Sequence, residues 1–266
     1  MDLPVNHFKR AIVSDRNPVG AWLSGAAAST AEAMGCAGFD FLVVDMEHTP
    51  IDVPQVIEIL RTLAGTPAQA VVRPPWNDFV MVKRVLDAGA QTVLFPFVQN
   101  ADEARRAVAA TRYPPQGIRG VAGTHRASRF GLVDDYLKRA NGEMCVIVQI
   151  ETVSAFERLD EIAAVPGVDS IFIGPSDLSA SMGFLGDAGN AAVQEKLAAG
   201  AQACRRLGKP CGIIGGNPDM VRKFLDYGFS WVAMGSDMSL MVGRAQEYLA
   251  KLRGTQPAAG KPQRAY

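Results

Sequence analysis

Eight short runs rich in β-branched and other apolar residues recur along the whole chain, and stretches of helical periodicity alternate with them. They are VGAWL (19–23), FLVVD (41–45), AVVRP (70–74), TVLFPF (92–97), CVIVQI (145–150), SIFIG (170–174), CGIIGG (211–216) and WVAMG (231–235). Helical periodicity appears at 52–64, 78–88, 101–111, 153–163, 191–207 and 218–227. Strands alternating with helices in this way build a parallel sheet wrapped by crossover helices, and eight such units close into a (β/α)8 TIM barrel. A chain of 266 residues suits one such domain rather than two. Residues 1–253 are read as the barrel. The remainder, GTQPAAGKPQRAY (254–266), has little to bury and is expected to be a loose tail.

The position of polar residues within these runs carries the chemistry. In a barrel of this type the active site lies at the C-terminal mouth, so a polar side chain that ends a strand weighs more than one that begins it. FLVVD runs on to Met46, Glu47 and His48, which sets Asp45, Glu47 and His48 at that mouth. Alternation of faces puts Asp45 and Glu47 on the side of Val43 if the chain stays extended, with His48 turned away unless the loop bends. The third run ends in Arg73, followed by PPW, and the fifth places Gln149 and Glu151 on the face of Ile147. The sixth leads into IGPSDLSASMG and delivers Asp177 just past a Gly-Pro turn.

Glu151 and Asp177 are 26 residues apart, about one βα unit, so they leave neighbouring strands. Strands about 5 Å apart let two such carboxylates reach one cation. Two carboxylates, waters and a substrate oxygen make a hard octahedral site that suits Mg2+ or Mn2+, with Co2+ as a further candidate. The competing reading is local: SDLS can be an ordinary helix cap, and Glu151 can pair with a loop arginine.

At these residues the chain resembles the metal-dependent (class II) pyruvate aldolases of the HpcH/HpaI family, typified by 4-hydroxy-2-oxoheptanedioate aldolase and 2-keto-3-deoxy sugar acid aldolases. The likeness spans roughly residues 5–252. It rests on VVDMEH (43–48), VVRPPW (71–76), LDAGAQTVLFPFV (86–98), RYPPQGIRGV (112–121), RASRF (126–130), QIET (149–152) and IFIGPSDLSASMG (171–183). The resemblance implies a barrel with metal on Glu151 and Asp177, Arg73 on the pyruvyl oxygens, and His48 with Asp87 as an acid/base dyad. It also implies that Gln149 and the backbone amides near Ser176 and Asp177 hold the substrate carboxylate and the metal's surroundings. The same resemblance implies hexamers built as trimers of dimers, with a C-terminal helix exchanged between partners. The chain departs from the family pattern at the second proline of VRPP and at His125 in GTHRAS, and either change can retune the aldehyde pocket.

The expected function is metal-dependent, reversible cleavage of 4-hydroxy-2-oxo acids to pyruvate and an aldehyde through an enolate of pyruvate. A divalent ion stabilises that enolate by several kcal/mol as a Lewis acid. Arg73, always cationic, adds hydrogen bonds to the oxygen that gains charge. A histidine is the side chain poised near neutral pH to take the hydroxyl proton, hence His48, with Asp87 fixing its tautomer. A Schiff-base route needs a lysine at a strand end, and none of the eight runs ends in one. Trp22, at the end of the first run, and Trp76, after the third, are candidate walls for the aldehyde half, although aromatics there more often simply pack.

Two alternatives stay open: within enzymes, a carbon–carbon lyase acting on a malyl or citramalyl CoA thioester, and, in a different class, a non-catalytic binder of 2-oxo acids or an assembly subunit. The first needs a basic groove, which only the arginines of 112–129 can supply; the loop 112–131 is too long and too rich in Gly, Pro and Arg for an ordinary turn, and its role is open. Lys plus Arg and Asp plus Glu each total 27, so no basic field draws nucleic acid or an anionic membrane. Cys36, Cys145, Cys204 and Cys211 form no CxxC pair, and three lie in or beside apolar segments, the pattern of free buried thiols in a reducing cytoplasm. MDLPVNHFKRAIV lacks an apolar signal region and no run reaches membrane-spanning length, so a soluble, unexported protein is expected.

Overall fold

In the computed structural model, which describes residues 1–255, the strands are β1 Val19–Leu23, β2 Phe41–Asp45, β3 Gln69–Arg73, β4 Thr92–Phe95, β5 Cys145–Ile150, β6 Ser170–Ile173, β7 Cys211–Gly215 and β8 Trp231–Ser236. All neighbours are parallel and β8 returns to β1, so the sheet closes into a barrel in sequence order, as the alternation requires. β3 and β4 stop at Arg73 and Phe95, short of the sequence expectation, because Pro74 and Pro96 have no N–H to give to the ladder.

The helices are α1 His7–Ala11, α2 Ala28–Cys36, α3 Val53–Leu63, α4 Phe79–Asp87, α5 Ala101–Thr111, α6 Tyr136–Glu143, α7 Val153–Glu157, α8 Leu159–Ala163, α9 Pro175–Ser181, α10 Ala191–Arg206, α11 Pro218–Tyr227 and α12 Asp237–Arg253. Side-chain caps set several starts: Asn100 accepts the Glu103 N–H ahead of α5, and Asn217 accepts the Met220 N–H ahead of α11. The expected helix over 153–163 is broken at Arg158, whose φ of −103° and ψ of 13° lie outside the helical region. The periodicity did not announce α2, because an alanine-rich segment with only Ala31 and Gly35 buried has little apolar contrast between its faces.

Inward positions fill the barrel with Trp22, Phe41, Val43, Val71, Leu94, Ile147, Phe172, Ile214 and Trp231, while Phe8 of α1 plugs the N-terminal end at 4.9 Å from Phe41 and 5.4 Å from Trp231. Trp231 is fully buried and its indole N–H donates to Ser170 Oγ at 2.9 Å. The ring fits because residue 212 is glycine: a Cβ there would lie 2.1 Å from the indole. Gly212→Ala should therefore destabilise the protein by about 3 kcal/mol through overpacking, and the midpoint of thermal unfolding should fall by roughly 10 °C. An unchanged midpoint would mean that the interior yields where the packing says it does not.

α12 buries only Asp237 and Ala250, and leaves Met238, Leu240, Met241, Val242, Tyr248, Leu249 and Leu252 exposed. Its root is tied to the mouth: the Asp237 carboxylate accepts the Ser24 N–H and hydroxyl at 2.9 Å and the Gly25 N–H at 3.0 Å. Of the expected loose tail, residues 256–266 lie outside the described residues. The four cysteines are free, three of them buried, and no helix among the described residues is long and apolar enough to cross a membrane.

Candidate active site

Asp45 ends β2, Arg73 ends β3, and the two are register partners, so alternation turns both side chains inward at one level. Arg73 Nε donates to Asp45 Oδ1 at 2.8 Å, and its Nη1 lies 2.9 Å from Glu47 Oε2 and 3.5 Å from Gln149 Oε1. The guanidinium also sits over the Trp22 ring at 5.4 Å. Asp45 Oδ1 accepts the Glu47 N–H at 3.0 Å, which curls the chain after β2 so that Glu47 also reaches Arg73. His48 stands half-exposed at the rim with Nε2 3.7 Å from Glu47 Oε2.

Glu151 follows β5, and Asp177 lies in the first turn of α9 after β6; these strands pair through Gln149↔Phe172 and Ile150↔Ile173. Asp177 and Ser176 are exposed, whereas Glu151 is buried. The Glu151 carboxylate is held on both oxygens: Oε1 accepts the Phe97 N–H at 2.8 Å and Oε2 accepts the Gln149 amide. Gly174 leaves the space for it, since a Cβ there would meet Glu151 Oε2 at 2.7 Å.

One small cavity at this end of the barrel brings Trp22, His48, Arg73, Gln149, Phe172, Ser176, Asp177 and Ile214 together. Larger depressions of about 370 and 660 Å³ open around the N-terminal segment at the opposite end, but they gather no converging acids. Chemistry, not volume, selects the mouth.

Burial pushes the Glu151 carboxyl up to about 7; the Glu47 and Asp177 carboxylates add to the rise, and the Gln149 hydrogen bond and Arg73 oppose it. Burial raises Glu47 as well, against the pull of Arg73 and His48. This surplus of mutually repelling oxygen is what a hard divalent cation neutralises. No three His, Cys, Asp or Glu side chains among the described residues make a metal-binding group by themselves. Glu151 and Asp177 thus fit as two ligands of an ion whose other positions are left for water and substrate oxygens.

A pH dependence follows. An ion held by Glu151 would have to displace its proton, so Mn2+ affinity should then fall below pH ~7, approaching tenfold per pH unit. The metal-free protein should respond oppositely. Because the folded-state value is raised, Glu151 contributes stability that is full below the ordinary carboxyl value and is lost as pH rises through about 7. Calorimetric Mn2+ titrations from pH 6 to 8 and metal-free melting curves read both effects, and a pH-independent Kd would contradict the first.

Trp22 is buried beneath Arg73 and against Phe172, ring centres 5.5 Å apart, so it forms the floor of the cavity rather than an exposed wall. Trp76 is exposed and packs beside Phe97 at 5.8 Å, away from the cavity lining. The expected partnership of His48 with Asp87 does not form within one chain. Asp87 is the last residue of α4, and barrel helices run back toward the strand starts, so it lies at the opposite pole from the mouth. There its Oδ1 accepts from Arg119 Nη2 at 2.8 Å and lies 3.6 Å from His125 Nε2.

The loop 112–131 occupies the same pole. Arg126 donates to Leu60 O and Ala88 O, and Arg112 lies 3.9 Å from Asp169, so these arginines clamp the N-terminal end of the barrel. The chain direction of the 78–88 helix already contained the position of Asp87. Phe172 and Ile214, not singled out from the sequence, sit at inward positions of β6 and β7 that alternation marks. The Phe97 N–H carried no signal, because a backbone donor leaves none in the sequence.

Residues 19–243 match the sequence model of the family described as HpcH/HpaI aldolase/citrate lyase. The chain is 48% identical over 258 residues to a 4-hydroxy-2-oxo-heptane-1,7-dioate aldolase of Shigella sonnei, covering 97% of this chain and 98% of that protein. It is 47% identical over 239 residues to a 2-dehydro-3,6-dideoxy-6-sulfogluconate aldolase of Pseudomonas putida, covering 90% and 94% respectively. A crystal structure of an HpcH/HpaI aldolase/citrate lyase family protein from Burkholderia cenocepacia J2315 superposes with a TM-score of 0.91 at 39% identity, over 94% of this chain and all of that one (100%). With matches that run nearly end to end in both sequence and fold, the chain belongs to the HpcH/HpaI aldolase/citrate lyase family.

Proposed function

We propose that the protein is a divalent-metal-dependent aldolase that reversibly cleaves 4-hydroxy-2-oxo acids to pyruvate and an aldehyde. The observation that carries this reading is the convergence of Asp177 and Arg73 in one cavity at the end of the barrel, with the buried carboxyl of Glu151, raised to about 7, within reach of the charges of both. The aldolase relatives at 47–48% identity support it. Mg2+, Mn2+ or Co2+ held by Glu151 and Asp177 would act as a Lewis acid toward the 2-oxo acid. Arg73, oriented by Asp45 and Glu47, donates to the oxygen that gains negative charge as the C3–C4 bond breaks. Gln149 and the backbone amides of Ser176 and Asp177, in the first turn of α9, bind the substrate carboxylate. His48 Nε2 takes the C4 hydroxyl proton, with Glu47, 3.7 Å away, as the carboxylate that orients the ring within the chain. Among the described residues, no lysine lines the cavity to offer a Schiff base.

A CoA-thioester lyase is disfavoured by the arginines of 112–131, which lie at the pole opposite the mouth of the same barrel. The test is pyruvate release from a panel of 4-hydroxy-2-oxo acids and from malyl and citramalyl thioesters, in protein stripped with chelator and then titrated with Mn2+. Metal-dependent cleavage of the free acids supports the aldolase; thioester cleavage, or binding without turnover, defeats it. In the same assay His48→Ala should slow retro-aldol cleavage about 10²-fold or more while sparing oxaloacetate decarboxylation, which forms the enolate without deprotonating a hydroxyl. Assembly belongs to this reading too: the apolar residues exposed on α12 are the surface that a second copy would cover in a hexamer built as a trimer of dimers, with the helix exchanged between partners in a cytoplasmic enzyme.

A further inference from the structure

Phe97 combines three features that do not belong together by chance of packing. Its backbone is left-handed, with φ of +53°, a conformation that bulky L side chains avoid. Phe97 is 39% exposed, and its ring lies beside the exposed ring of Trp76 at 5.8 Å. Its N–H donates to Oε1 of the buried carboxylate of Glu151 at 2.8 Å.

In an extended chain consecutive N–H groups point to opposite sides; a left-handed residue turns neighbouring donors toward one side. Here the Val98 N–H donates to Gln149 O at 3.1 Å while the Phe97 N–H reaches Glu151, so both address the segment that ends β5. Around them the Gln99 side chain locks the turn, donating to Phe97 O at 3.3 Å and accepting the Thr152 hydroxyl at 2.7 Å. The segment is thereby stitched to both sides of Glu151.

We propose that Phe97 is a positioning residue for the metal ligand Glu151 and acts through its backbone: the left-handed turn aims its N–H at Oε1 and, with the Gln149 amide on Oε2, fixes the carboxylate's rotation so that its remaining lone pairs are presented to a divalent ion. This deepens the proposed function and rests on Glu151 being a ligand. Outer hydrogen bonds of this kind tune metal affinity by roughly 10- to 100-fold. The aromatic ring is dispensable to this role and the backbone conformation is not.

The experiment separates ring from backbone by calorimetric Mn2+ titration of the full chain. Phe97→Gly and Phe97→Asn discard the ring but tolerate the left-handed conformation, and both should bind Mn2+ within about twofold of the wild type. Phe97→Val, β-branched and averse to that conformation, should weaken Mn2+ binding about tenfold or more. Loss of affinity in the Gly or Asn variant, or wild-type affinity in a folded Val variant, overturns the proposal. A second measurement holds even if the Val variant does not fold: in metal-free wild type the Phe97 amide should exchange with deuterium slowly, and at least tenfold faster in Glu151→Ala. An unprotected amide in the wild type overturns the proposal as well. Wild-type protein that takes up no Mn2+ at all would instead defeat the assignment of Glu151 as a ligand, while the exchange measurement would still report whether the Phe97–Glu151 bond exists.

Discussion

Glu151→Gln should abolish Mn2+ binding at millimolar metal and lower pyruvate release from a 4-hydroxy-2-oxo acid by roughly 10³-fold, the equivalent of ~4 kcal/mol of lost Lewis-acid stabilisation. The substitution keeps the shape of a buried side chain that already accepts from the Phe97 N–H and the Gln149 amide. It removes a negative charge that Glu47 and Asp177 repel, and it turns one of the two accepting oxygens into an NH2 donor, so one of these two hydrogen bonds is lost. With relieved repulsion set against the lost hydrogen bond, the metal-free variant should stay folded and melt within a few degrees of the wild type near pH 8, where the wild-type carboxyl is ionised. Calorimetry for metal, a coupled assay for pyruvate and a melting curve test the three statements on one preparation. Full turnover in a variant that binds no metal would end the metal-dependent reading.

Substitution of Arg73 should have two separable effects. Arg73→Ala strands the fully buried Asp45 carboxylate without its cation, and breaking a buried pair from one side destabilises by about 3–5 kcal/mol. The double variant Arg73→Ala/Asp45→Ala should recover much of that loss, because the orphaned charge is then absent as well. Arg73→Lys keeps the positive charge but loses the planar fork that reaches Asp45, Glu47 and Gln149 together. If Arg73 has the proposed role, kcat should fall by roughly 10²-fold with KM changed little, since a fork no longer held by these partners would be misaimed at an oxygen that carries charge only in the transition state. A raised KM with kcat intact would recast Arg73 as a ground-state anchor. Denaturant unfolding resolves the first effect and steady-state kinetics the second.

Much of the site was legible because it depends on period-two alternation and on the polarity of a βα unit. Asp45 and Arg73 become register partners as soon as β2 and β3 are laid side by side, and the spacing from Glu151 to Asp177 carries them to adjacent strand ends. The same reasoning, taken one step further, puts Asp87 at the far pole: a residue that closes a helix in a barrel faces away from the mouth. The family resemblance set Asp87 beside His48, and within one chain helix direction separates them. Trp22 shows a different limit. Its place at a strand end was readable, but its burial under the Arg73 guanidinium depends on which residues four strands contribute to one layer.

From the amino-acid order alone come the closed eight-stranded barrel, the acids and arginine at strand ends, and the family, because apolar periodicity and short motifs are local properties that survive without coordinates. Only the folded chain decided that Phe97 turns left-handed to reach Glu151, that residue 174 must lack a Cβ, and that the 112–131 arginines brace the pole away from the chemistry. These are relations between backbone atoms and side chains distant in sequence, and they exist only once closure of the barrel has brought the strand ends within hydrogen-bonding distance of one another.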